Sequence, residues 1–243
     1  MAPFLSIVIP SHNEEKRLPK TLEAVDEFLS SQSYSSEILV VENGSVDRTY
    51  EVAAGYCSRI SNLQVIRVEG RGKGLAVKNG MLKARGEYRF FCDADLSMPI
   101  AEINRFLPPL LADVEIAIGS REVPGAVRYN EPAYRHLVGR VFNSMVRLLA
   151  LPDLHDTQCG FKCFRADITE DIFHCQLFKG MSFDAEILYI ATLRGYKITE
   201  VPIPWYFNAD SRVRLFKDSF QMGKDLLTIR KNARKGLYNL KTA

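Results

Sequence analysis

Two aspartates, Asp93 and Asp95, stand one residue apart directly after the apolar run 90–92 in the segment FFCDADLS. Residues i and i+2 of an extended chain point to the same side, so the two carboxylates can converge on one point. Carboxylate oxygens suit hard divalent cations such as Mg²⁺ or Mn²⁺, which usually take further oxygens from a substrate diphosphate. A solvated pair of loop acids is the alternative; the position after an apolar strand strengthens the metal reading and leaves both open.

Apolar segments alternate with segments of helical periodicity over the first half of the chain. The predicted strands cover residues 4–10, 37–43, 63–69, 87–95 and 114–121, and the predicted helices cover 14–31, 45–57, 74–86 and 98–111. This alternation predicts βαβ units, and therefore an α/β fold with a mostly parallel sheet and helices on both faces. Ligands of such sheets bind at the carboxyl ends of the strands.

Polar residues follow the predicted strands at the ends where ligands would bind. They are Ser11-His12-Asn13-Glu14, Glu42-Asn43-Gly44-Ser45, Asp93-Ala94-Asp95 and Ser120-Arg121. Because parallel strands share one carboxyl edge, these groups are expected to meet there.

The pattern is less regular after residue 121. Helices are predicted over 134–151, 182–196 and 219–237, and residues 153–168 read as an irregular polar loop leading into a short apolar run. Residues 197–208 read as a strand broken by Pro202 and Pro204. We expect one domain, residues 1–211, and a basic amphipathic extension, residues 212–243, packed on the domain or on a membrane surface.

Composition and charge argue against several classes of function and location. The net charge of +3 is too weak to indicate nucleic-acid binding, and five cysteines in 243 residues indicate free thiols in a reducing compartment. The start lacks the basic region and apolar run of a signal peptide, and no stretch reaches the roughly 20 apolar residues that span a bilayer. We therefore expect a protein that is soluble or lies on a membrane.

Six segments in order carry a resemblance to a known family. They are LSIVIPSHNEE (5–15), ILVVENGSVDRT (38–49), RGKGLAVKNGM (71–81), FFCDADLS (90–97), IGSR (118–121) and DTQCGFKCF (156–164). Together they resemble family 2 glycosyltransferases of the GT-A fold. The DTQCGFK loop and the tail FKDSFQMGKDLLTIRKN (216–232) are most similar to the dolichyl-phosphate glucosyltransferase branch. The resemblance runs from about residue 5 to residue 235.

The resemblance implies an inverting enzyme that needs Mg²⁺ or Mn²⁺. It would move a hexose from a nucleotide-diphosphate sugar, with UDP-glucose the first choice and a GDP-sugar behind it, to a dolichyl or polyprenyl phosphate. Such an enzyme would work peripherally at the cytoplasmic face of the membrane, alone or with a separate membrane protein partner.

The resemblance also implies roles for individual residues. On the donor side, Pro10, His12, Asn13 and Glu14 would edge the nucleotide pocket, Lys73 would face the diphosphate, Asp95 would be the main metal ligand with Asp93 near ribose and metal, and Asp156 and Gln158 would line the sugar. Asn43 would read the base, although the family usually has Asp there (VENGS in place of VDDGS). Arg212 would lie on a mobile basic lid.

On the acceptor side, Arg121 and Arg135 would hold the acceptor phosphate, because the planar guanidinium binds phosphate bidentately. A hydroxyl acceptor would instead require a carboxylate base, for which Asp156, Asp184 and Glu186 are candidates. For Asp184, lining the donor sugar or capping the helix that begins near Ser182 are further readings. A third reading is a non-catalytic subunit that only binds nucleotide sugar.

Overall fold

A computed structural model describes residues 2–113, 115–208 and 215–239, with the backbone alone for 215–218. The strands are β1 (Leu5–Ser11), β2 (Ser36–Asn43), β3 (Leu63–Val68), β4 (Tyr88–Cys92), β5 (Ile116–Ser120), β6 (Val127–Tyr129), β7 (Phe161–Arg165), β8 (Ile198–Pro202) and β9 (Pro204–Tyr206). The helices are α1 (Leu18–Ser30), α2 (Thr49–Tyr56), α3 (Lys73–Lys83), α4 (Ala133–Leu149), α5 (Ala166–Cys175), α6 (Phe183–Arg194) and α7 (Leu215–Arg234), and a 3₁₀ helix spans Ile100–Phe106.

Seven strands form one sheet in the order β3-β2-β1-β4-β7-β5-β8. Strands β1 to β4 pair in parallel, and so do β5 and β8. Strand β7 lies between β4 and β5 and runs antiparallel to both, with Cys163 opposite Phe90 and Ala117. The carboxyl ends of β1, β2, β4 and β5 therefore share one edge of the sheet with the amino end of β7.

Both faces of the sheet are covered, because successive strand residues point to opposite sides. Val8 and Phe91 face a core cluster that includes residues of α3, α5, α6 and α7. Ile7 and Phe90 face a second cluster, built with α1 and the 3₁₀ helix. The predicted mostly parallel α/β sheet with helices on both faces is confirmed.

Several predicted elements differ from the observed ones. The predicted helix 98–111 is a short 3₁₀ helix, and residues 153–168, read as irregular, contain the central strand β7 and the start of α5. The predicted strand 197–208 divides at Pro202 and Pro204 into β8, in the main sheet, and β9, which pairs with β6 in a separate two-stranded sheet. Neither proline has an amide hydrogen to continue a ladder, so the chain leaves the main sheet there.

The predicted C-terminal amphipathic helix is present as α7. Its Leu226 and Ile229 are buried in the core cluster that also contains Val8 and Phe91. The division into residues 1–211 and 212–243 stays a prediction. Among the helices of the described ranges, none combines the length and apolar character needed to cross a bilayer.

Candidate active site

Two adjoining cavities open at the shared edge of the sheet. The β1 cavity has a volume of about 240 Å³ and lies over the ends of β1 and β2. The α4 cavity has a volume of about 220 Å³ and lies between the end of β5 and helix α4. Lys73, Asp93, Asp95 and Met181 line both cavities. The aspartate pair therefore stands where the two cavities join.

The loop after β1 forms one wall of the β1 cavity. Pro10, His12 and Glu14, which were predicted to edge a nucleotide pocket, line this cavity, whereas Asn13 is not among its lining residues. The φ of +56° at Asn13 turns the chain so that its amide donates to Ser45 Oγ at 3.0 Å. Asn13 thus connects the loops after β1 and β2 and supports the cavity wall without lining the cavity.

Asn43 is almost fully buried at the end of β2 and also lines the β1 cavity. Its side-chain amide donates to the Gly72 carbonyl oxygen at 2.8 Å, and its own carbonyl oxygen contacts His12 Nδ1 at 2.8 Å. A carboxylate has no hydrogen to donate to a carbonyl. The departure from the usual aspartate therefore has a structural consequence, because the amide fixes the loop that precedes α3.

Lys73 begins α3, and its Nζ lies 2.6 Å from Asp93 Oδ1. Burial alone would lower the pKa of Lys73, but Asp93, Asp184 and Asp95 together raise that pKa above its ordinary value. The turn before Lys73 needs glycine: Gly72 has a φ of +147°, and a Cβ there would lie 2.2 Å from the Lys179 carbonyl oxygen. The close approach of the Gly72 backbone to the Lys179 backbone positions Lys73 beside Asp93.

Backbone contacts fix the segment that carries the aspartates. The Asp93 amide donates to the Gly160 carbonyl oxygen at 3.1 Å, and Thr21 Oγ1 donates to the Ala94 carbonyl oxygen at 2.6 Å. Asp95 Oδ1 accepts from the Ser97 amide at 3.0 Å. A Cβ at Gly160 would lie 2.1 Å from Asp93 Oδ2, so the carboxylate rests directly on the backbone before β7.

The carboxylates of Asp93 and Asp95 fit the divalent cation that the family resemblance implies. Both are partly exposed and border the two cavities, so oxygens of a bound diphosphate can complete their coordination of an ion. Within residues 2–113, 115–208 and 215–239, no group of three or more His, Cys, Asp or Glu is arranged to hold a metal.

Arg121 follows β5 and lines the α4 cavity. Its Nε and Nη2 donate to the two carboxylate oxygens of Asp156 at 2.6 and 2.8 Å, and its guanidinium lies 5.4 Å from the centre of the Trp205 ring. Burial would raise the pKa of Asp156, but the Arg121 guanidinium outweighs it and holds the pKa at about 2. Asp156 is fully buried and is not a lining residue of either cavity. The structure thus places it against Arg121, in a state unsuited to a general base.

Two more predicted residues line the α4 cavity. Gln158 does so from the loop before β7 and Arg135 from the first turn of α4, where its guanidinium lies 4.9 Å from the centre of the Phe207 ring. Arg212 lies outside the described residues, so its predicted role stays a prediction.

Arg128 is a cavity residue that the sequence did not indicate. It lines the α4 cavity and donates to Glu131 at 2.7 Å, to Glu122 at 2.5 Å and to the Arg121 carbonyl oxygen at 3.2 Å. It lies in a segment without a recognisable pattern, which gave no reason to select it. Its contacts tie the loop after β5 to the start of α4, and so relate Arg121 to Arg135.

A buried ion pair between Lys162 and Asp184 was also missed. Both side chains are inaccessible to solvent, and Lys162 Nζ donates to Asp184 Oδ1 and to the Cys159 carbonyl oxygen. Burial raises the pKa of Asp184 although Lys162 and Lys73 oppose that rise. Asp184 lies inside α6 and makes no cap for it, so the predicted capping role is wrong.

The Glu186 carboxylate is also buried and hydrogen-bonded within the protein. It accepts hydrogen bonds from the amides of Leu177 and Phe178 and from the Tyr238 hydroxyl. The three carboxylates proposed as bases for a hydroxyl acceptor are therefore all buried in interactions with other parts of the chain.

Solved structures share this architecture. The glucosyl-3-phosphoglycerate synthase of Mycobacterium tuberculosis, crystallised with Mn²⁺, UDP and phosphoglyceric acid, superposes with a TM-score of 0.65 at 19% identity, over 96% of this chain and 79% of that one. A further structure, described as a mycobacterial protein, gives 0.68 at 19% identity over 96% of this chain and 75% of that one. The fold is that of the GT-A glycosyltransferases.

The sequence places the chain within that class. Residues 6–173 match Glycosyl transferase family 2, and the chain belongs to this family. It is 34% identical to the human dolichyl-phosphate beta-glucosyltransferase over 97% of this chain and 78% of that protein. It is 35% identical to the Drosophila melanogaster protein of the same name over 93% of this chain and 74% of that protein.

Proposed function

We propose that this chain transfers glucose from UDP-glucose to a dolichyl or polyprenyl phosphate, with inversion at the anomeric carbon. The observation that carries this proposal is its similarity to dolichyl-phosphate beta-glucosyltransferases along nearly the whole chain. A cavity lined by Arg121, Arg128 and Arg135, next to the aspartate pair, suits an anionic acceptor. UDP-glucose carries an α-linked sugar, so a β-linked product requires inversion.

The donor occupies the β1 cavity and the junction. The nucleoside lies between the loop that contains His12 and Glu14 and the end of β2, where the Asn43 amide has an oxygen that can accept from the N–H of a pyrimidine. The diphosphate lies at the junction, beside Lys73. Asp93 and Asp95 would hold Mg²⁺ or Mn²⁺, and the ion would supply positive charge that offsets the charge developing on the departing diphosphate.

The acceptor phosphate occupies the α4 cavity, where Arg121 and Arg135 orient it towards the anomeric carbon. A phosphate monoester has a second pKa near 6 and is already anionic near pH 7, so its attack does not require a base. One phosphate oxygen forms the new bond to the anomeric carbon as the bond to UDP breaks, and the electron pair leaves with UDP. The protein contributes positioning and charge stabilisation rather than proton transfer.

Contacts with Asp156 and Arg128 hold Arg121 in a defined geometry for this task. The bidentate contact with Asp156 fixes the plane of the Arg121 guanidinium, and Arg128 connects its backbone to Glu131 beside α4. Gln158, on the loop before β7, lines the α4 cavity and would contact the donor sugar.

We place the reaction at the cytoplasmic face of a membrane, with the protein bound peripherally. The five cysteines are all free thiols, as expected in a reducing compartment. A separate membrane protein partner and a lid that contains Arg212 remain further proposals.

The test is release of nucleoside diphosphate from a panel of UDP- and GDP-sugars, with Mg²⁺ or Mn²⁺, in the presence and absence of a short polyprenyl phosphate. We expect release from UDP-glucose that requires both the lipid phosphate and the metal and is lost in Asp95→Ala. Asp167→Ala, whose side chain is 64% exposed, is the matched control. Donor binding without lipid-dependent release would refute the phosphate acceptor.

A further inference from the structure

Lys73 contacts one oxygen of the Asp93 carboxylate, beside the proposed metal site. Its Nζ lies 2.6 Å from Asp93 Oδ1, and the two side chains are 16% and 33% exposed. The other oxygen, Asp93 Oδ2, rests against the backbone at Gly160, where a Cβ would lie 2.1 Å from it. A divalent cation that binds Asp93 must therefore compete with the ammonium group for Oδ1.

The backbone around Lys73 is fixed by the segment that precedes α6. The Leu75 amide donates to the Lys179 carbonyl oxygen at 3.0 Å. The almost fully buried Gln176 donates from Nε2 to the Gly74 carbonyl oxygen at 2.9 Å. These contacts hold the first turn of α3 in place. The Lys73 ammonium is therefore a built-in counterion of the carboxylate and not the mobile end of a surface side chain.

The charges at the junction of the two cavities determine how Lys73 affects a cation. Asp93 and Asp95 carry two negative charges, and the ammonium of Lys73 offsets one of them. The remaining charge attracts a divalent cation less strongly than two carboxylates would, and the cation must also displace the ammonium. Both effects weaken the binding of a cation that arrives alone.

A diphosphate changes both effects. Lys73 lines the two cavities, so phosphate oxygens at their junction offer its ammonium a second anionic partner. The same diphosphate supplies oxygen ligands to the cation, since Mg²⁺ is usually bound through one or two carboxylates together with substrate phosphates. A diphosphate therefore releases Asp93 Oδ1 and completes the coordination of the cation together.

We propose that Lys73 keeps divalent cations off Asp93 until a nucleoside diphosphate draws the ammonium away, so that the metal and the nucleotide bind together. This inference rests on the proposed donor site. When the nucleoside diphosphate leaves, Lys73 returns to Asp93. Its return weakens the binding of the cation and prepares the site for the next donor.

The test measures Mn²⁺ binding by electron paramagnetic resonance, with and without UDP. Without UDP, we expect Lys73→Met to bind Mn²⁺ roughly 10-fold more tightly than wild type, because the variant removes a competing charge from a partly screened site. A lysine that only binds the diphosphate would leave Mn²⁺ binding without UDP unchanged.

The matched control is Lys83→Met, which removes the same charge from the same helix. Lys83 is exposed in the last turn of α3, about 15 Å along the helix axis from Lys73. Solvent and salt screen a charge at that distance, so we expect the control to bind Mn²⁺ like wild type. Equally tight Mn²⁺ binding by both variants would overturn the inference, because it would reflect net charge and not the contact with Asp93.

The second readout is the factor by which UDP tightens Mn²⁺ binding. By linkage, Mn²⁺ tightens UDP binding by the same factor, which calorimetry measures independently. We expect this factor to be smaller in Lys73→Met than in wild type, since only wild type has an ion pair that UDP must release. A factor that is unchanged or larger in the variant would overturn the inference.

Two further variants of Lys73 separate the effect of charge from a defect in folding or packing. Lys73→Gln removes the charge but keeps a polar side chain, and we expect it to bind Mn²⁺ more tightly without UDP, as Lys73→Met does. Lys73→Arg keeps the charge, and we expect it to bind Mn²⁺ as weakly as wild type does. Circular dichroism checks the fold of each variant. A folded Lys73→Gln that binds Mn²⁺ no more tightly than wild type would overturn the inference.

Turnover separates this inference from the proposed function, because the metal-binding measurements contain neither sugar nor acceptor. The expected Mn²⁺ binding without transfer of glucose to a polyprenyl phosphate would refute the proposed function and leave the inference about Lys73 standing. Lipid-dependent UDP release by wild type, together with equal Mn²⁺ binding by wild type and Lys73→Met without UDP, would overturn the inference about Lys73 alone.

Discussion

Gly160 gives the sharpest test of how the active site is assembled. Its Cα faces the Asp93 carboxylate, and a Cβ would lie 2.1 Å from Asp93 Oδ2. Carbon and oxygen atoms in contact keep about 3.4 Å apart, so Gly160→Ala must push the carboxylate away by about 1 Å. The carboxylate is one-third exposed and can rotate, so we expect the chain to remain folded.

The functional cost of this displacement follows from its size. A misplacement of about 1 Å at a reacting centre costs about 100-fold in rate, which corresponds to roughly 2.7 kcal/mol of activation free energy. We therefore expect Gly160→Ala to lower lipid-dependent UDP release from UDP-glucose about 100-fold. Binding of Mn²⁺ with UDP, followed by electron paramagnetic resonance, should weaken in parallel because Asp93 borders the proposed metal site.

The control is Gly55→Ala, since a Cβ at Gly55 would meet no atom within 4 Å beyond its chain neighbours and the backbone of its own helix. This helical glycine is exposed, and alanine there should keep full activity and raise stability by about 0.5–1 kcal/mol. Wild-type activity in Gly160→Ala, with an unchanged melting temperature, would show that contact between Asp93 and the backbone before β7 does not position the carboxylate for catalysis.

Three further predictions concern buried polar contacts. The lowered pKa of Asp156 contributes about 2 kcal/mol of stability. This stability is present above the ordinary pKa of 3.8 and is lost as the pH falls towards 2. Urea unfolding should show this acid-dependent loss in wild type and not in Asp156→Asn. Lys162→Met leaves Asp184 buried without its cation and should lower the unfolding free energy by about 3–5 kcal/mol. The double variant Lys162→Met/Asp184→Leu should recover most of that lost stability. Equal losses of stability in both variants would refute the pairing argument. Asn43→Asp sets a carboxylate against the Gly72 carbonyl oxygen and should weaken UDP binding by calorimetry without tightening GDP binding; tighter GDP binding would contradict this role.

The sequence predicts much of the lining of the β1 cavity because local patterns determine it. Each of β1, β2 and β4 is a short apolar run that ends in polar residues, and parallel strands bring those ends to one edge. Asp93, Asp95 and Asn43 could therefore be selected without knowledge of the fold. Asn13 shows the limit, since its left-handed backbone turns it from the cavity to a neighbouring loop.

The surroundings of the α4 cavity are harder to predict because long-range pairing determines them. Strand β7 has only five residues, and Lys162 at its second position breaks the apolar pattern, so the segment reads only as a short apolar run after a polar loop. The lysine is tolerated in the core because Asp184, 22 residues away, pairs with it. Arg128, in the three-residue strand β6, is held by two glutamates, Glu122 and Glu131. Such partners cannot be identified from periodicity.

The central position of β7 has a consequence for the order in which the protein assembles during synthesis. Strands β1 to β4 leave the ribosome first, and β4 then has an unpaired apolar edge until residues 161–165 follow. Exposed strand edges promote association between chains, so the nascent protein is most vulnerable in this interval. The same insertion brings Gly160 against Asp93. The segment that closes the exposed edge therefore also completes the surroundings of the Asp93 carboxylate.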